Sequence, residues 1–487
     1  MRNVFQRFAG DGLEVVYLGV FETEEACRAW KEEYGLEFPV IADDDGTLFR
    51  AFTNGWVPWS VLVGPDGKVV FSENEFDESG FSNAIQEMYE EPSAEKPIRQ
   101  QGSSRAASTV ILGGGTGGLV TAHELRRRLP NSHHVVLVDR SREHVYQPSL
   151  LWQIVGQRHQ DQFRRPLNRL ERKGIEFRND EVEEIDLESK TVRTGSGNLD
   201  YDSLVVSLGA QLVPETVGGF ERMAYNLYDP QDCAQIHSAL EDFSGGTIGI
   251  LITAMPFKCP AAPYEAAFLI ESFIRKKGIR RQVEIRLYTP EHMPMPVAPP
   301  TLGNSIADML AARGIDYHPL FTFKELRPET REVVSSDGRS DRIDLLIGVP
   351  PHQAPEVVRS SPLLGVSGFI HVDPKTLRTE HDGVFAIGDV TTIKLPNGKA
   401  LPKAGVFAHS EAKVVAEQIA DEVLGKRSDA SFAGKGHCWI ELGDGRAGFV
   451  SGDFYAERDP KLKMRRPGHT LHWGKVAFEK WWLHHWF

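Results

Sequence analysis

The chain has 487 residues, 41% of them hydrophobic, with 45 glycines and a formal net charge of −13. That length and apolar content support two to four domains with ordinary cores, and the acidic balance excludes nucleic acid as the main partner. Cysteines at 27, 233, 259 and 438 show no CxxC, metal-ligand or disulfide-framework spacing, so no metal is expected and a reducing, cytoplasmic compartment fits. Met1-Arg-Asn-Val-Phe-Gln-Arg7 lacks an apolar signal segment, and no run of about 18 apolar residues predicts a bilayer span.

Residues 1–90 read as one unit. Val15–Val20 predicts a strand, Glu24–Tyr34 a helix presenting Ala26, Trp30 and Cys27, and Phe38–Ile41 a second strand. Thr47–Phe52 predicts a helical turn. Trp56–Val63, then Gly64-Pro-Asp-Gly67 and Lys68–Phe71, predict a hairpin. This order resembles the redoxin branch of the thioredoxin fold, with Val57-Pro58 where that family keeps a cis-proline. The resemblance implies a first strand and a CxxC loop upstream of Met1, and neither is present. Cys27, on a different helix, reads as a buried structural thiol. A redox-inert docking or oligomerisation module is therefore expected, or the product of a misassigned start. Residues 91–106 are polar, Pro- and Ser-rich and aperiodic, and read as a linker.

Thr109–Leu112 is a short β-branched run that predicts a buried parallel strand. It ends in Gly113-x-Gly115-x-x-Gly118, which opens a helical pattern through Leu119, Ala122, Leu125 and Leu129. A second strand, Val135–Val138, stops at Asp139. Strand, glycine turn, helix, strand and acid form a dinucleotide fingerprint in full context. The glycines permit the turn and a close pyrophosphate, the helix N-terminus offers free N–H groups, and the acid takes a ribose hydroxyl. Gly113, Gly115, Thr116, Gly118 and Asp139 are the expected cofactor contacts. Val145–Trp152 reads as an apolar loop able to cover a flavin ring. Tyr201–Ala210 reads as a strand ending in a small-residue turn at Gly209, and Gly383–Asp389 repeats strand then Gly388-Asp389. Asp389 is placed for a ribityl hydroxyl. Three such pieces in this order make FAD, rather than free NAD, the expected ligand. The fold class expected is α/β, with two Rossmann-like domains of the disulfide-reductase type behind a partial thioredoxin-like domain. Residues 107–216 and 341–425 make the FAD-binding domain, 217–340 the second, and 426–487 a C-terminal interfacial or dimerisation segment.

The second domain begins with Thr247–Ile252, where a nicotinamide-binding domain needs another glycine fingerprint. Thr253-Ala-Met-Pro-Phe-Lys-Cys-Pro-Ala-Ala-Pro-Tyr-Glu265 follows instead. Its prolines and bulky residues cannot cradle a pyrophosphate in the same way, so this domain is not expected to bind NADH. Cys259 lies between that strand and a helix started by Pro263, striped by Ala266, Leu269, Ile270, Phe273 and Ile274 and ended by Gly278. A thiol at a helix N-terminus beside Lys258 is expected to have a lowered pKa, with Glu265 as a proton shuttle.

Lys258-Cys-Pro-Ala-Ala-Pro-Tyr-Glu265 resembles the active-site signature of sulfide:quinone oxidoreductases and flavocytochrome c sulfide dehydrogenases. Asp344–Pro355, Ala386-Ile-Gly-Asp389 and Leu401–Ala408 are similar to the same family. The resemblance implies sulfur uptake at Cys259 from sulfide or a small sulfur species, with two electrons passing to FAD and then to a quinone or other acceptor. It implies Cys259 as the flavin-proximal sulfur carrier, Glu265 as the base and Lys403 as the lysine beside the flavin and acceptor. It also implies a second redox cysteine near 346–350 or 368–372, and neither stretch has one. Cys438 and Cys233 are the only local substitutes.

The C-terminus carries Arg458–Arg466 and then Trp473, Phe478, Trp481, Trp482, Trp486 and Phe487. Basic residues beside aromatics suit a peripheral contact with the cytoplasmic membrane, and equally a helix packed on the flavin domain or in a dimer. A homo-oligomer is expected. Two rival functions are an NADH:quinone-type flavin oxidoreductase, which the missing second fingerprint disfavours, and a non-catalytic flavin-binding redox or scaffold protein. A peroxiredoxin-type antioxidant lacks its nucleophile in residues 1–90.

Overall fold

The computed structural model describes residues 16–20, 22–36, 39–44, 60–63, 69–73 and 107–487. The chain divides into two compact units, Met1–Ser104 and Arg105–Phe487. In the first, β1 (Tyr17–Val20) pairs in parallel with β2 (Val40–Asp43), with α1 (Glu24–Glu33) between them. β3 (Ser60–Val63) pairs antiparallel with β4 (Val69–Glu73). Thr23 caps α1 through Ala26 N–H, 3.3 Å, as a threonine at this position should. Cys27 is the residue α1 buries, whereas Ala26 and Trp30, expected on the same presented face, are exposed. The expected turn at 47–52, the Val57-Pro58 peptide and the linker at 91–106 lie outside the described residues.

The second unit runs through β5 (Ser108–Leu112), α2 (Thr116–Arg128), β6 (His134–Asp139), β7 (Glu176–Asn179), β8 (Ser203–Val206) and β9 (Ala224–Asn226). It continues with β10 (Gly246–Ile252), α3 (Ala262–Lys276), β11 (Val283–Tyr288), β12 (Ile315–His318), β13 (Leu345–Val349) and β14 (Val384–Ala386). Last come α4 (Gly405–Val423), β15 (Lys435–Glu441), β16 (Ala447–Asp453), β17 (Lys461–Gly468) and α5 (His469–His485).

Two parallel five-stranded sheets result, in the orders β14-β8-β5-β6-β7 and β9-β13-β10-β11-β12. Their central strands are buried end to end: every residue of β5, β8 and β13 is buried. That explains the unbroken apolar runs, because helices cover both faces of a parallel sheet. Each sheet is accompanied by a three-stranded antiparallel sheet, over residues 182–200 and 323–342. β13 pairs with β10 and β9, so residues 345–349 belong to the second sheet and the expected boundary at 341 is too early. An apolar run before a Gly-Val-Pro turn carries no mark of which sheet it joins.

The antiparallel sheet β15-β16-β17 and helix α5 close the unit. Trp482 and Trp486 are 2% and 3% exposed, and only Trp473, at 69%, stands clear among the helix tryptophans. α5 is therefore packed on the dinucleotide domain. Trp482 Nε1 donates to His144 Nε2 at 3.2 Å. Residues 145–152 are no open loop either: a turn at Gln147–Ser149, exposed at Gln147 and Pro148, leads into a short helix that puts Leu150, Leu151 and Trp152 in the core. No helix among the described residues is long and apolar enough to cross a membrane.

Candidate functional site

The glycine loop is built by close backbone approach. Gly113 has φ +101, and a Cβ there would lie 2.3 Å from Ser207 O; a Cβ on Gly118 would lie 1.9 Å from Gly113 O. Neither position admits a side chain without pushing neighbouring backbone away, the end of β8 for Gly113 and the glycine turn itself for Gly118. Gly115 is different, because nothing of the protein lies within 4 Å of its Cβ position. Its missing side chain serves the space outside. Asp139 Oδ2 accepts Gly114 N–H at 2.5 Å and Oδ1 accepts Ser141 N–H at 2.6 Å. Burial raises its pKa against those bonds. The carboxylate braces the loop and keeps lone pairs for a ligand hydroxyl.

Helix α4 starts opposite. Neither Gly115 nor Ala404, which precede α2 and α4, caps its helix with a side chain. Thr116 Oγ1 lies 3.6 Å from the Cβ position of Gly405, so two uncapped helix N-termini meet, an arrangement that favours anions. Gly209 (φ +69) has open space around it, and Gly388 (φ +75) donates its N–H to Glu411 Oε2 at 2.7 Å. Glu411 is fully buried, which pushes its pKa up to about 7. Among the described residues no hydrogen bond engages the Asp389 carboxylate; burial raises its pKa, and Lys258 and Lys403 hold it back. An unengaged acid beside a glycine turn and two helix N-termini fits the ribityl and pyrophosphate parts of a flavin dinucleotide.

Beside this lies an apolar cavity of about 280 Å³, lined by Phe257, Cys259, Lys403, Phe407, Cys438 and Ile440 among others. Cys259 is pinned in the loop 253–261 between β10 and α3. Its N–H donates to Lys403 O at 2.7 Å, its carbonyl accepts from Ala262 N at 2.8 Å, and its φ is +49. That backbone is strained for a residue with a side chain. The corresponding connection after β5 spans only 113–115. The lowered thiol pKa expected from the helix end and Lys258 is overturned. Burial pushes the Cys259 thiol up, Cys438 and Glu265 push it further, and Lys475 only partly opposes them. Lys258 is half-buried, desolvation lowers its pKa, and its ammonium lies 5.3 Å from the Tyr228 ring centroid. Lys403 donates to Asp389 O (2.7 Å) and Thr391 O (2.8 Å) and sits 3.5 Å from the Phe369 centroid. Burial lowers its pKa to about 8.

Glu265 is no free base. Its Oε2 accepts from Lys475 Nζ at 2.8 Å and from Glu441 N–H at 2.9 Å. Lys475 also lies 3.9 Å from Glu441 Oε1, and His472 Nδ1 lies 3.0 Å from Glu441 Oε2. Burial works against the charge on Lys475, but Glu265 and Glu441 outweigh it and hold the ammonium protonated. Burial raises the Glu265 pKa, and Lys475 pulls it back. His472 is the partly exposed end of this hydrogen-bonded cluster.

Lys475, Glu441, His472 and the placement of Cys438 escaped sequence reasoning. One signal was present: positions 475, 479, 482 and 486 share a helical face, so Lys475 and Glu479 stand on the same stripe as two buried tryptophans. Charges there must be paired across the interface, and Glu479 does meet Arg158 at 2.7 Å. Cys233 is sealed in the core, its thiol donating to Leu227 O at 3.2 Å.

A model of the pyridine nucleotide-disulphide oxidoreductase family matches residues 107–412, and one of the AhpC/TSA family matches residues 1–72. The mitochondrial sulfide:quinone oxidoreductase of Mus musculus is 29% identical over 317 residues, covering 62% of this chain and 68% of that protein. The sulfide-quinone reductase of Aquifex aeolicus is 27% identical over 398 residues, 78% and 90% of the two chains. The crystal structure of the sulfide:quinone oxidoreductase from Aquifex aeolicus superposes with a TM-score of 0.71 at 24% identity, covering 78% of this chain and 91% of that one.

Proposed function

The chain belongs to the pyridine nucleotide-disulphide oxidoreductase family, and we propose that it is an FAD-dependent oxidoreductase that takes two electrons from sulfide, or a related small sulfur species, and passes them to a quinone. The observation that carries this reading is Cys259, held rigidly at a cavity beside an intact flavin-type cradle, in the loop that replaces the second nucleotide turn. Relatives named for the same reaction support it.

Gly113, Gly115, Thr116 and Gly118 would hold the pyrophosphate, Asp139 the ribose, and Gly209, Gly388 and Asp389 the remainder of FAD. When bound, FAD supplies the two-electron acceptor for sulfur and donor to quinone. Cys259 presents the sulfur nucleophile, and its fixed backbone leaves only the side-chain torsion to adjust. Lys403 places a cation with a tunable proton beside the Asp389 turn. Glu265, through Lys475 and Glu441, offers the sulfur a buried proton store that opens at His472. An NADH-oxidising reading needs a second pyrophosphate cradle, and loop 253–261 presents Pro256, Phe257 and Pro260 to the cavity instead.

Quinones dissolve in membranes, which favours a peripheral position at the cytoplasmic membrane. Lys461, Lys463, Arg465 and Arg466 are exposed on β17 near the start of α5, where Trp473 also stands clear; that combination suits an anionic lipid surface. Residues 1–90 would then serve docking or homo-oligomerisation.

The test is anaerobic. Sulfide should bleach the flavin absorbance of the purified protein, NADH should not, and Cys259→Ser should abolish the sulfide response. Bleaching by NADH and not by sulfide would reject the proposal.

A further inference from the structure

Cys259 is not alone at the cavity. On β15 the residues Gly436, His437, Cys438 and Ile440 line the cavity, and Cys438 and Ile440, two apart, share one face of the strand. Gly436 lets the strand come close, since a Cβ there would lie 2.5 Å from the Phe407 ring. Cys438 is exposed into the opening, and both thiols are free. They come from elements far apart in sequence, and both feel the buried Glu265–Lys475 pair. Two thiols facing one apolar cavity, with a buried ion pair behind them, have the makings of a dithiol centre.

We infer that Cys438 is the second sulfur-carrying residue of this site, closing with Cys259 a bridge of two or more sulfur atoms across the cavity. For the electrons it rests on the sulfide reading proposed above. Hydrosulfide attacks the exposed Cys438 sulfur of the closed bridge. The S–S bond breaks, leaving a persulfide on Cys438 and a thiolate on Cys259, with no net oxidation. Closing the thiolate onto the persulfide forms a new S–S bond around the added sulfur. That step releases one proton, on the side where the buried Glu265–Lys475 pair lies, and two electrons, which leave to the bound oxidised flavin.

The test reads the bridge directly. The flavin-loaded full chain is treated with diamide, a dithiol oxidant that needs no sulfide, alkylated, digested without reduction and analysed by mass spectrometry. A second sample receives sulfide and a soluble quinone. The expected result is a peptide containing Cys259 joined to one containing Cys438 in the diamide sample, and the same pair heavier by whole sulfur atoms in the sulfide sample. Cys233→Ala should leave the linkage intact, and Cys438→Ser should lose both the linkage and sulfide turnover. No linked pair with diamide, or full sulfide turnover in Cys438→Ser, would overturn the inference while leaving the sulfide reading standing. A diamide-linked pair with no sulfur added by sulfide would uphold the dithiol centre and reject sulfide as its substrate.

Discussion

Replacing Lys475 by methionine isolates the buried charge cluster. Lys475 is 5% exposed, and Glu265 and Glu441 are 1% exposed each. At 2.8 Å and an effective dielectric near 20, the Lys475–Glu265 attraction is about 6 kcal/mol. Most of that offsets the desolvation of both charges, and removing one partner of such a pair leaves a net cost of about 3–5 kcal/mol. Lys475→Met should therefore lose that amount, and Lys475→Met/Glu265→Gln should recover part of it. The loss should depend on pH. Without the lysine, burial raises the folded-state pKa of Glu265 further above its unfolded value. The folded state then holds a proton that the unfolded chain has released, so stability falls as pH rises between the two pKa values. Urea unfolding followed by tryptophan fluorescence at pH 5.5 and 8 checks both points. A loss below about 1 kcal/mol, equal at both pH values, would show that the cluster is not a desolvated ion pair.

The glycine loop gives a paired prediction. Gly118→Ala should lower both stability and flavin content, because its Cβ meets backbone, whereas Gly115→Ala should leave the melting of the flavin-free protein unchanged and lower only flavin content. Equal effects in both assays would deny that Gly115 faces a ligand. Trp482→Ala should cost about 3–5 kcal/mol, and Trp473→Ala should stay within about 0.5 kcal/mol; the reverse order in urea would contradict the packing of α5. Burial sets the Lys403 pKa at about 8, below its ordinary 10.5. Between those values the unfolded chain holds a proton that the folded chain has lost, so wild-type stability should rise with pH there relative to Lys403→Met. Parallel pH profiles of the two proteins would refute that ionisation.

The dinucleotide cradle was legible because its determinants are local. A buried β-branched run, three glycines, a helix and an acid act over one supersecondary unit, and Gly113 and Gly118 touch backbone a few residues or one strand away. The departure at 253–261 was legible for the same reason: prolines and bulky side chains exclude a glycine turn whatever surrounds them. Cys259 was visible as a residue, but its proton affinity was not. Local reasoning weighed a helix end and a neighbouring lysine, while burial and the carboxylate of Glu265 act the other way.

Only the tertiary structure decided what required distant segments to meet. It joined β13 to the second sheet rather than the first. It turned the aromatic C-terminus inward and brought Lys475 to Glu265 across 210 positions of sequence. It also set Cys438 beside the cavity of Cys259. The physical reason is range: turn chemistry and periodicity act within a few residues, whereas desolvation and ion pairing depend on which surfaces the folded chain presses together.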